Sequence, residues 1–148
     1  MDYSQGQALA KALGATIESL NDDNIAHGIC VYWDNVIQLK DSLPLDRKLH
    51  ILIHELCHLT GTECRLDRDT LLMYGKNELY ALVEETIVEA ATVALLTGLD
   101  ALVYTVPLAR LTQACDEQGI EWEIDVLPEV ERIVEYLTPY IKEITHGA

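Results

Sequence analysis

Basic residues are scarce in this sequence. The 148-residue chain has 10 lysines and arginines against 25 aspartates and glutamates, which gives a formal net charge of -15. A surface this negative repels phosphate groups, so neither direct nucleic-acid binding nor docking on anionic lipid is expected. The acidic excess is greatest in residues 116–135, where eight acidic residues accompany one arginine. This segment is either a solvated face or an electrostatic surface for a basic partner, including mimicry of DNA.

Long apolar runs, CxxC pairs and a secretion signal are also missing. The most apolar stretch, residues 87–106, is interrupted by Glu89 and Asp100, so no membrane-spanning helix is predicted. The first residues contain neither a basic segment nor a continuous apolar segment, and we therefore expect a cytoplasmic protein. The four cysteines lack the spacing of a cysteine zinc site, which favours reduced thiols over a disulfide framework.

The rest of the composition is typical of a folded α+β domain. Hydrophobic residues make up 49% of the chain, and this length predicts a single domain over residues 1–148. The apolar spacing predicts a mostly helical fold with a small β-hairpin. Helices are expected over residues 3–20, 44–60, 77–97 and 107–119 and from about residue 125, with hairpin strands at residues 27–33 and 36–39 and a polar loop at residues 61–76.

Residues 54–58, His-Glu-Leu-Cys-His, form an HExxH pattern. Histidines four residues apart lie on one face of a helix, so His54 and His58 can bind one metal ion and Glu55 can reach a water on that ion. The flanking leucines and isoleucines predict a largely buried helix, in which two imidazoles and a carboxylate would be costly without a ligand. Cys57 is expected to face away from the histidines, into the core.

The predicted helix over residues 77–97 supplies acidic side chains for the same site. Its interior is apolar, and carboxylates in such a helix are rarely left unpaired. A catalytic zinc needs a third protein ligand and leaves a fourth position to water. Glu85 is the candidate ligand and Glu84 is the alternative, while Glu89, on the same face as Glu85, is expected to hydrogen-bond a ligating histidine. Ligand type alone does not distinguish zinc from manganese.

Two segments carry a resemblance to a known family. Residues 54–69, HELCHLTGTECRLDRD, and residues 80–89, YALVEETIVE, resemble the zincin-like metallopeptidase domain of ArdC-type antirestriction proteins and, more distantly, ImmA/IrrE-type metallopeptidases. The resemblance covers residues 32–99 and leaves residues 100–148 as an unassigned helical extension. It implies a gluzincin-type core with a small sheet, the HExxH helix and a glutamate-bearing helix side by side. It also implies zinc on His54, His58 and Glu85, with Glu55 as the general base.

Two functions follow as hypotheses. The first is zinc-dependent hydrolysis of peptide bonds in a protein or peptide substrate, such as a host regulatory or defence protein. The second is a non-catalytic, zinc-containing antirestriction or inhibitor protein that binds a DNA-handling enzyme through its acidic face. The single-strand DNA-binding domain of ArdC-type proteins has no counterpart in the short segment before the hairpin, and no particular oligomeric state is predicted.

Several further residues are candidates for the site. An oxyanion-stabilising tyrosine is expected, and the candidates, each with a core or interface role as the alternative, are Tyr32, Tyr74, Tyr80 and Tyr104. Arg65 and Arg68 are expected to brace the loop through ion pairs with Asp67, Asp69 or the acidic helix, with substrate contacts as the alternative. The strand at residues 36–39 is expected to offer an exposed edge to an extended substrate. Ordinary surface or core roles are expected for His27, His50 and His146.

Overall fold

The computed structural model describes residues 1–98 and 105–146 of the chain. Within them the fold is α+β, with six α-helices and a small three-stranded sheet, as the sequence predicts. The helices are α1 (Tyr3–Ala12), α2 (Leu45–Leu59), α3 (Asp69–Leu72), α4 (Glu78–Thr97), α5 (Val106–Glu117) and α6 (Leu127–His146). The strands are β1 (Thr16–Leu20), β2 (Gly28–Val31) and β3 (Val36–Lys40). A 3-10 turn (Tyr32–Asp34) joins β2 to β3, and a π-helical turn (Trp122–Val126) precedes α6.

The two helices that carry the candidate site form where the sequence predicts them. α2 begins directly after Pro44 and ends before Thr60. The Asn77 side chain caps α4 by accepting hydrogen bonds from two backbone N–H groups of the first turn. α4 ends at Gly98, whose φ of 102° costs a glycine little. Local signals therefore define both helices.

The expectation of one helix over residues 3–20 is wrong. α1 stops at Ala12, and Gly14 adopts a φ of 77°, after which the chain continues as β1. Glycine at a positive φ is a common helix terminator. All five residues of β1 pair in parallel with β3. This pairing with a distant strand outweighs the weak helical spacing of the apolar residues.

β3 is the central strand of the sheet. The strand order is β1-β3-β2, with β3 parallel to β1 and antiparallel to β2. The predicted hairpin of β2 and β3 is confirmed, but the expectation that residues 36–39 offer an open edge is wrong because β3 is paired on both sides. The open edge next to the motif helix belongs to β2, which packs against α2.

β2 approaches α2 closely at Gly28. A Cβ atom at this position would lie 2.5 Å from Ile51 Cγ2 and 3.3 Å from Glu55 Cγ. A side chain here would push the strand away from the motif helix, so the glycine permits the close contact. The edge of β2 consequently lies beside Glu55.

α4 lies at the centre of the helical part of the fold. It packs against α2, α3, α5 and α6, and residues 86–94 are all buried. α6 contributes Val130, Ile133 and Leu137 to the same hydrophobic core as the motif helix, so the described helices after residue 104 help to fix α4 in place. Although α4 is long and apolar, none of the described helices combines the length and hydropathy needed to cross a membrane.

Candidate metal centre and adjoining cleft

Both histidines of the HExxH motif converge on one glutamate of α4. His54 Nε2 lies 3.1 Å from Glu85 Oε2, and His58 Nε2 lies 3.0 Å from Glu85 Oε1. One ligand atom from each of the three residues lies within 4.8 Å of the others. The two rings share one side of α2 because four residues make about one helical turn. The structure thus brings together the three residues that the sequence predicts as metal ligands.

Two further carboxylates of α4 hold the Nδ1 atoms of the same histidines. His54 Nδ1 lies 2.8 Å from Glu89 Oε2, and His58 Nδ1 lies 2.8 Å from Glu84 Oε2. Glu89 therefore makes the contact expected from the sequence, whereas Glu84, the alternative third ligand, contacts the far side of the His58 ring. A carboxylate on Nδ1 fixes the orientation of an imidazole and leaves Nε2 for a metal. Both Nε2 atoms accordingly face Glu85.

Arg68 compensates the buried charge of Glu84. Its Nε and Nη2 atoms donate hydrogen bonds of 2.9 Å and 2.8 Å to the two carboxylate oxygens. The same guanidinium donates to Thr60 Oγ1 at 2.8 Å and to the Cys57 carbonyl oxygen at 2.9 Å, while the Thr70 hydroxyl also donates to Glu84. Arg68 is 3% exposed and Glu84 is 0% exposed. The predicted role of Arg68 in bracing the loop through an ion pair with the acidic helix is confirmed.

His50 also belongs to this network, which the sequence interpretation missed. It lies one turn before His54 on α2, and its Nε2 atom is 2.7 Å from Glu89 Oε1. This contact was not predicted, since the sequence analysis expects an ordinary surface or core role for His50. The signal was its spacing, because His50 precedes His54 by four residues, as His54 precedes His58.

The charges of the cluster are complementary. Burial acts to lower the pKa of His54, but hydrogen bonds to Glu85 and Glu89 raise this pKa to about 10. Burial acts in the same direction on His58, whose hydrogen bonds to Glu84 and Glu85 raise its pKa to about 9. Burial would raise the pKa of Glu85, but hydrogen bonds from both imidazoles hold that pKa far below its usual range.

This donor set fits a divalent metal. Both Nε2 atoms lie within hydrogen-bonding distance of the Glu85 carboxylate, so a cation between the three side chains would contact all of them. Two imidazole nitrogens and one carboxylate oxygen are a common protein ligand set for catalytic zinc. Because the Nδ1 atoms already have carboxylate partners, metal binding needs no rotation of either ring.

Glu55 lies beside the three converging residues. It is 8% exposed and lines a cleft together with His58 and Glu85. Burial raises the pKa of its carboxyl, while the two motif histidines act in the opposite direction, as does a hydrogen bond from the Cys30 backbone. A carboxyl group with a raised pKa next to a candidate metal site is suited to accept and release a proton.

The cleft has a volume of about 380 Å³ and opens beside the cluster. Its lining comes from the β2 edge and the following turn, from the segment around α3, and from the cluster itself. These residues are Gly28, Ile29, Cys30, Tyr32 and Trp33, then Leu71, Tyr74 and Gly75, and finally Glu55, His58 and Glu85. The lining away from the cluster is therefore mostly apolar and aromatic, and within the described parts of the chain it includes no lysine or arginine.

One of the four candidate tyrosines lies at the cluster. The Tyr74 hydroxyl donates a 2.8 Å hydrogen bond to Glu85 Oε1, and its ring packs edge-on against the second motif histidine. Burial raises the pKa of Tyr74 and the Glu85 carboxylate raises it further, so this hydroxyl keeps its proton. Tyr32 lines the cleft, Tyr80 lies on the first turn of α4 outside this lining, and Tyr104 lies outside the described residues.

Arg65 braces the loop in a different way from the one expected. It donates to Thr62 Oγ1, to the Leu13 carbonyl oxygen and to Asn35 Oδ1. These acceptors are uncharged, so the predicted ion pair of Arg65 is replaced, in the described part of the chain, by neutral hydrogen bonds. Arg65 thereby ties the loop after α2 to the end of α1 and to the turn before β3.

The prediction of reduced, buried cysteines holds for Cys57 and Cys115, whereas Cys30 is partly buried and Cys64 is exposed. All four are free thiols, and Cys57 is fully buried. Burial raises the pKa of Cys57 to about 12, which keeps it protonated and away from metal chemistry. Cys64 is exposed and lies outside the converging group.

Comparisons with known proteins do not assign the chain. No family model, curated protein or solved structure matches it. The resemblance to ArdC-type metallopeptidase domains therefore stays a prediction from residues 54–69 and 80–89.

Proposed function

We propose that the protein is a zinc-dependent peptidase that hydrolyses peptide bonds within an extended protein segment. The observation that carries this proposal is the convergence of His54 Nε2, His58 Nε2 and the Glu85 carboxylate, with Glu55 beside them in an open cleft. Zinc bound by these three residues would polarise the scissile carbonyl and lower the pKa of a water molecule to about 7.

Glu55 is the proton-transfer group of the proposed reaction. Its carboxylate takes a proton from the attacking water and delivers that proton to the amine nitrogen as the C–N bond breaks. Tyr74 is the candidate for stabilising the developing oxyanion, because its hydroxyl keeps its proton and lies beside the three converging residues. Both groups lie in the lining of the cleft.

The open edge of β2 supports binding of an extended backbone. The Lys40 N–H donates to the His27 carbonyl oxygen at 3.2 Å, which marks a hydrogen-bonded pair of the β2–β3 ladder. Such pairs occur at every second residue, so the backbone groups of Gly28 and Cys30 point away from β3. The Cys30 N–H already donates to Glu55, which leaves the Gly28 groups and the Cys30 carbonyl oxygen for a substrate. An extended peptide could pair with these groups by adding a strand to the sheet. This assigns to β2 the role that the sequence interpretation gave to residues 36–39.

The lining of the cleft favours an internal segment with large apolar side chains. Trp33 is 69% exposed, and Tyr32 packs edge-on against it with the ring centroids 5.0 Å apart. Exposed aromatic rings are frequent anchors for apolar ligand groups. Among the described residues, the lining includes no lysine or arginine, which favours an internal segment over a chain terminus.

A comparison of the wild type with Glu55→Gln tests the proposal. Both zinc-loaded proteins would be incubated with a mixture of internally quenched peptides of varied sequence, and fragments would be identified by mass spectrometry. We expect cleavage by the wild type and a loss of roughly 100- to 10,000-fold in the variant, with one equivalent of zinc retained by both proteins. Equal cleavage by the two proteins, or none by the zinc-loaded wild type, would contradict the proposal.

The same variant separates the peptidase from the non-catalytic inhibitor. An inhibitor that acts through its acidic face would tolerate Glu55→Gln and would lose activity when acidic residues of that face are neutralised. Suitable positions are Glu117, Glu121 and Glu131, which are exposed, and Glu129, which is partly buried and pairs with Arg132. The peptidase should retain its cleavage rate after these four changes.

A further inference from the structure

Glu89 bridges two histidines of α2. Its Oε1 atom lies 2.7 Å from His50 Nε2, and its Oε2 atom lies 2.8 Å from His54 Nδ1. Each carboxylate oxygen thus has its own imidazole partner. The arrangement forms a chain of contacts from His50 through Glu89 to His54, whose other nitrogen faces Glu85.

The residues of this series of contacts differ in burial. The side chain of Glu89 is 8% exposed and that of His54 is 13% exposed, whereas that of His50 is 26% exposed. A carboxylate so deeply buried depends on its partners for orientation, because little water reaches it. Removal of the outer imidazole would release one oxygen of Glu89 and allow the carboxylate to turn away from His54.

We propose that His50 is a positioning residue for the metal site, holding Glu89 in the orientation that keeps His54 Nε2 directed at Glu85. This inference rests on the metal site of the proposed function but not on peptidase activity. Groups that orient a metal-binding histidine typically change metal affinity by about 10- to 100-fold when removed. His50 acts through Glu89, so its removal should weaken zinc binding by roughly tenfold, the lower end of that range.

The atom that makes the contact permits a matched set of variants. Glutamine can place its Nε2 amide where the Nε2 atom of His50 lies, whereas the shorter asparagine and alanine cannot reach Glu89. Zinc affinity of the full chain would be measured by competition with a chromophoric chelator, for His50→Ala, His50→Asn and His50→Gln. His146→Ala serves as the control, because His146 is an exposed histidine at the end of α6.

We expect the alanine and asparagine variants to bind zinc roughly tenfold more weakly, and the glutamine and His146→Ala variants to bind it as the wild type does. With cobalt bound in place of zinc, the absorption bands should change in the alanine and asparagine variants. They should match those of the wild type in the glutamine and His146→Ala variants. In a Glu89→Ala background, His50→Ala should cause no further loss of affinity.

Three results would overturn the inference. The first is wild-type affinity in His50→Ala, and the second is an equal loss in the glutamine, asparagine and alanine variants. The third is a loss caused by His50→Ala that has the same size with and without Glu89. A wild type that binds no zinc would instead remove the proposed metal site itself, whereas inactivity of a zinc-binding wild type would leave the role of His50 standing.

Discussion

Replacing Arg68 by alanine should strongly destabilise the metal-free protein. The guanidinium is 3% exposed, its partner Glu84 is 0% exposed, and four hydrogen bonds connect Arg68 to its surroundings. Removing one partner of a buried pair leaves the other charge in the interior and costs about 3–5 kcal/mol. For a chain of this length each kcal/mol lowers Tm by about 2–4 °C, so Tm should fall by roughly 6–20 °C.

The chain offers a matched control for this change. Arg132 makes the same kinds of contact, donating to both oxygens of Glu129 and to the Leu66 carbonyl oxygen, but its side chain is 47% exposed. Exposed pairs of this kind contribute about 0.2–1 kcal/mol. Urea unfolding of the wild type, Arg68→Ala and Arg132→Ala would give the two losses under identical conditions.

A second substitution identifies the cause of the loss. Without Arg68, Glu84 keeps only His58 and Thr70 as partners. If the loss of its guanidinium partner is responsible, Glu84→Gln should recover part of the unfolding free energy in the Arg68→Ala background, because it removes a buried charge that has lost its strongest partner. The reasoning would be refuted by equal losses in Arg68→Ala and Arg132→Ala. It would equally be refuted if the double variant were less stable than Arg68→Ala alone.

Three further predictions concern the metal, the loop and the cleft. The raised pKa values of the HExxH imidazoles, about 10 and about 9, keep both protonated near neutral pH. Zinc uptake should therefore release about two protons, and zinc affinity should increase as pH rises toward those values. Calorimetry in buffers of different ionisation enthalpy measures this release, and zinc uptake without proton release would contradict the prediction. Gly61→Ala should lower the free energy of unfolding by about 1–3 kcal/mol, because a Cβ atom there would lie 2.8 Å from Arg68 Nη2. In the control Gly75→Ala the added Cβ atom meets no atom within 4 Å. Equal stability of the two variants in urea unfolding would contradict this prediction. Trp33→Ala should raise KM for apolar peptides roughly tenfold, or about 1.4 kcal/mol, without changing zinc content. The control Ile124→Ala should leave KM unchanged, because Ile124 is equally exposed (69%) but lies outside the cleft lining. A similar KM for both variants would argue against a substrate contact at Trp33.

The parts of the fold predicted correctly are those with local signals. α2 and α4 carry their own boundaries in Pro44, Asn77 and Gly98, and the β2–β3 hairpin joins neighbouring segments. β1 was mistaken for helix because its apolar residues also fit a helical spacing, and its partner β3 lies twenty residues further along the chain. The same pairing makes β3 central, so the choice of the wrong open edge followed from the missed strand.

The candidate site shows the same division between local and distant information. The grouping of His54, His58 and Glu85 could be predicted because the HExxH spacing puts both histidines on one helical face and a carboxylate in an apolar helix needs a partner. The contact of His50 with Glu89 was missed, although His50 shares the helical face of His54 and His58, because His50 lies outside the HExxH pattern. Among the tyrosines, the position of Tyr74 depends on how the segment around α3 folds onto α4, and spacing carries no information about that contact.

The repeat of acidic and imidazole groups along α2 and α4 raises the question of what sets their alignment. Sliding one helix along the other by one turn, about 5.4 Å, would again place a carboxylate opposite an imidazole, because both residue types recur every four positions. Glu84 does not repeat in this way, since the residues one turn before and after it are Tyr80 and Val88. A shifted alignment would leave Arg68 buried without a charged partner, which is costly. The ion pair of Arg68 and Glu84 therefore fixes the alignment of α2 against α4. This alignment determines which glutamate faces the two histidines.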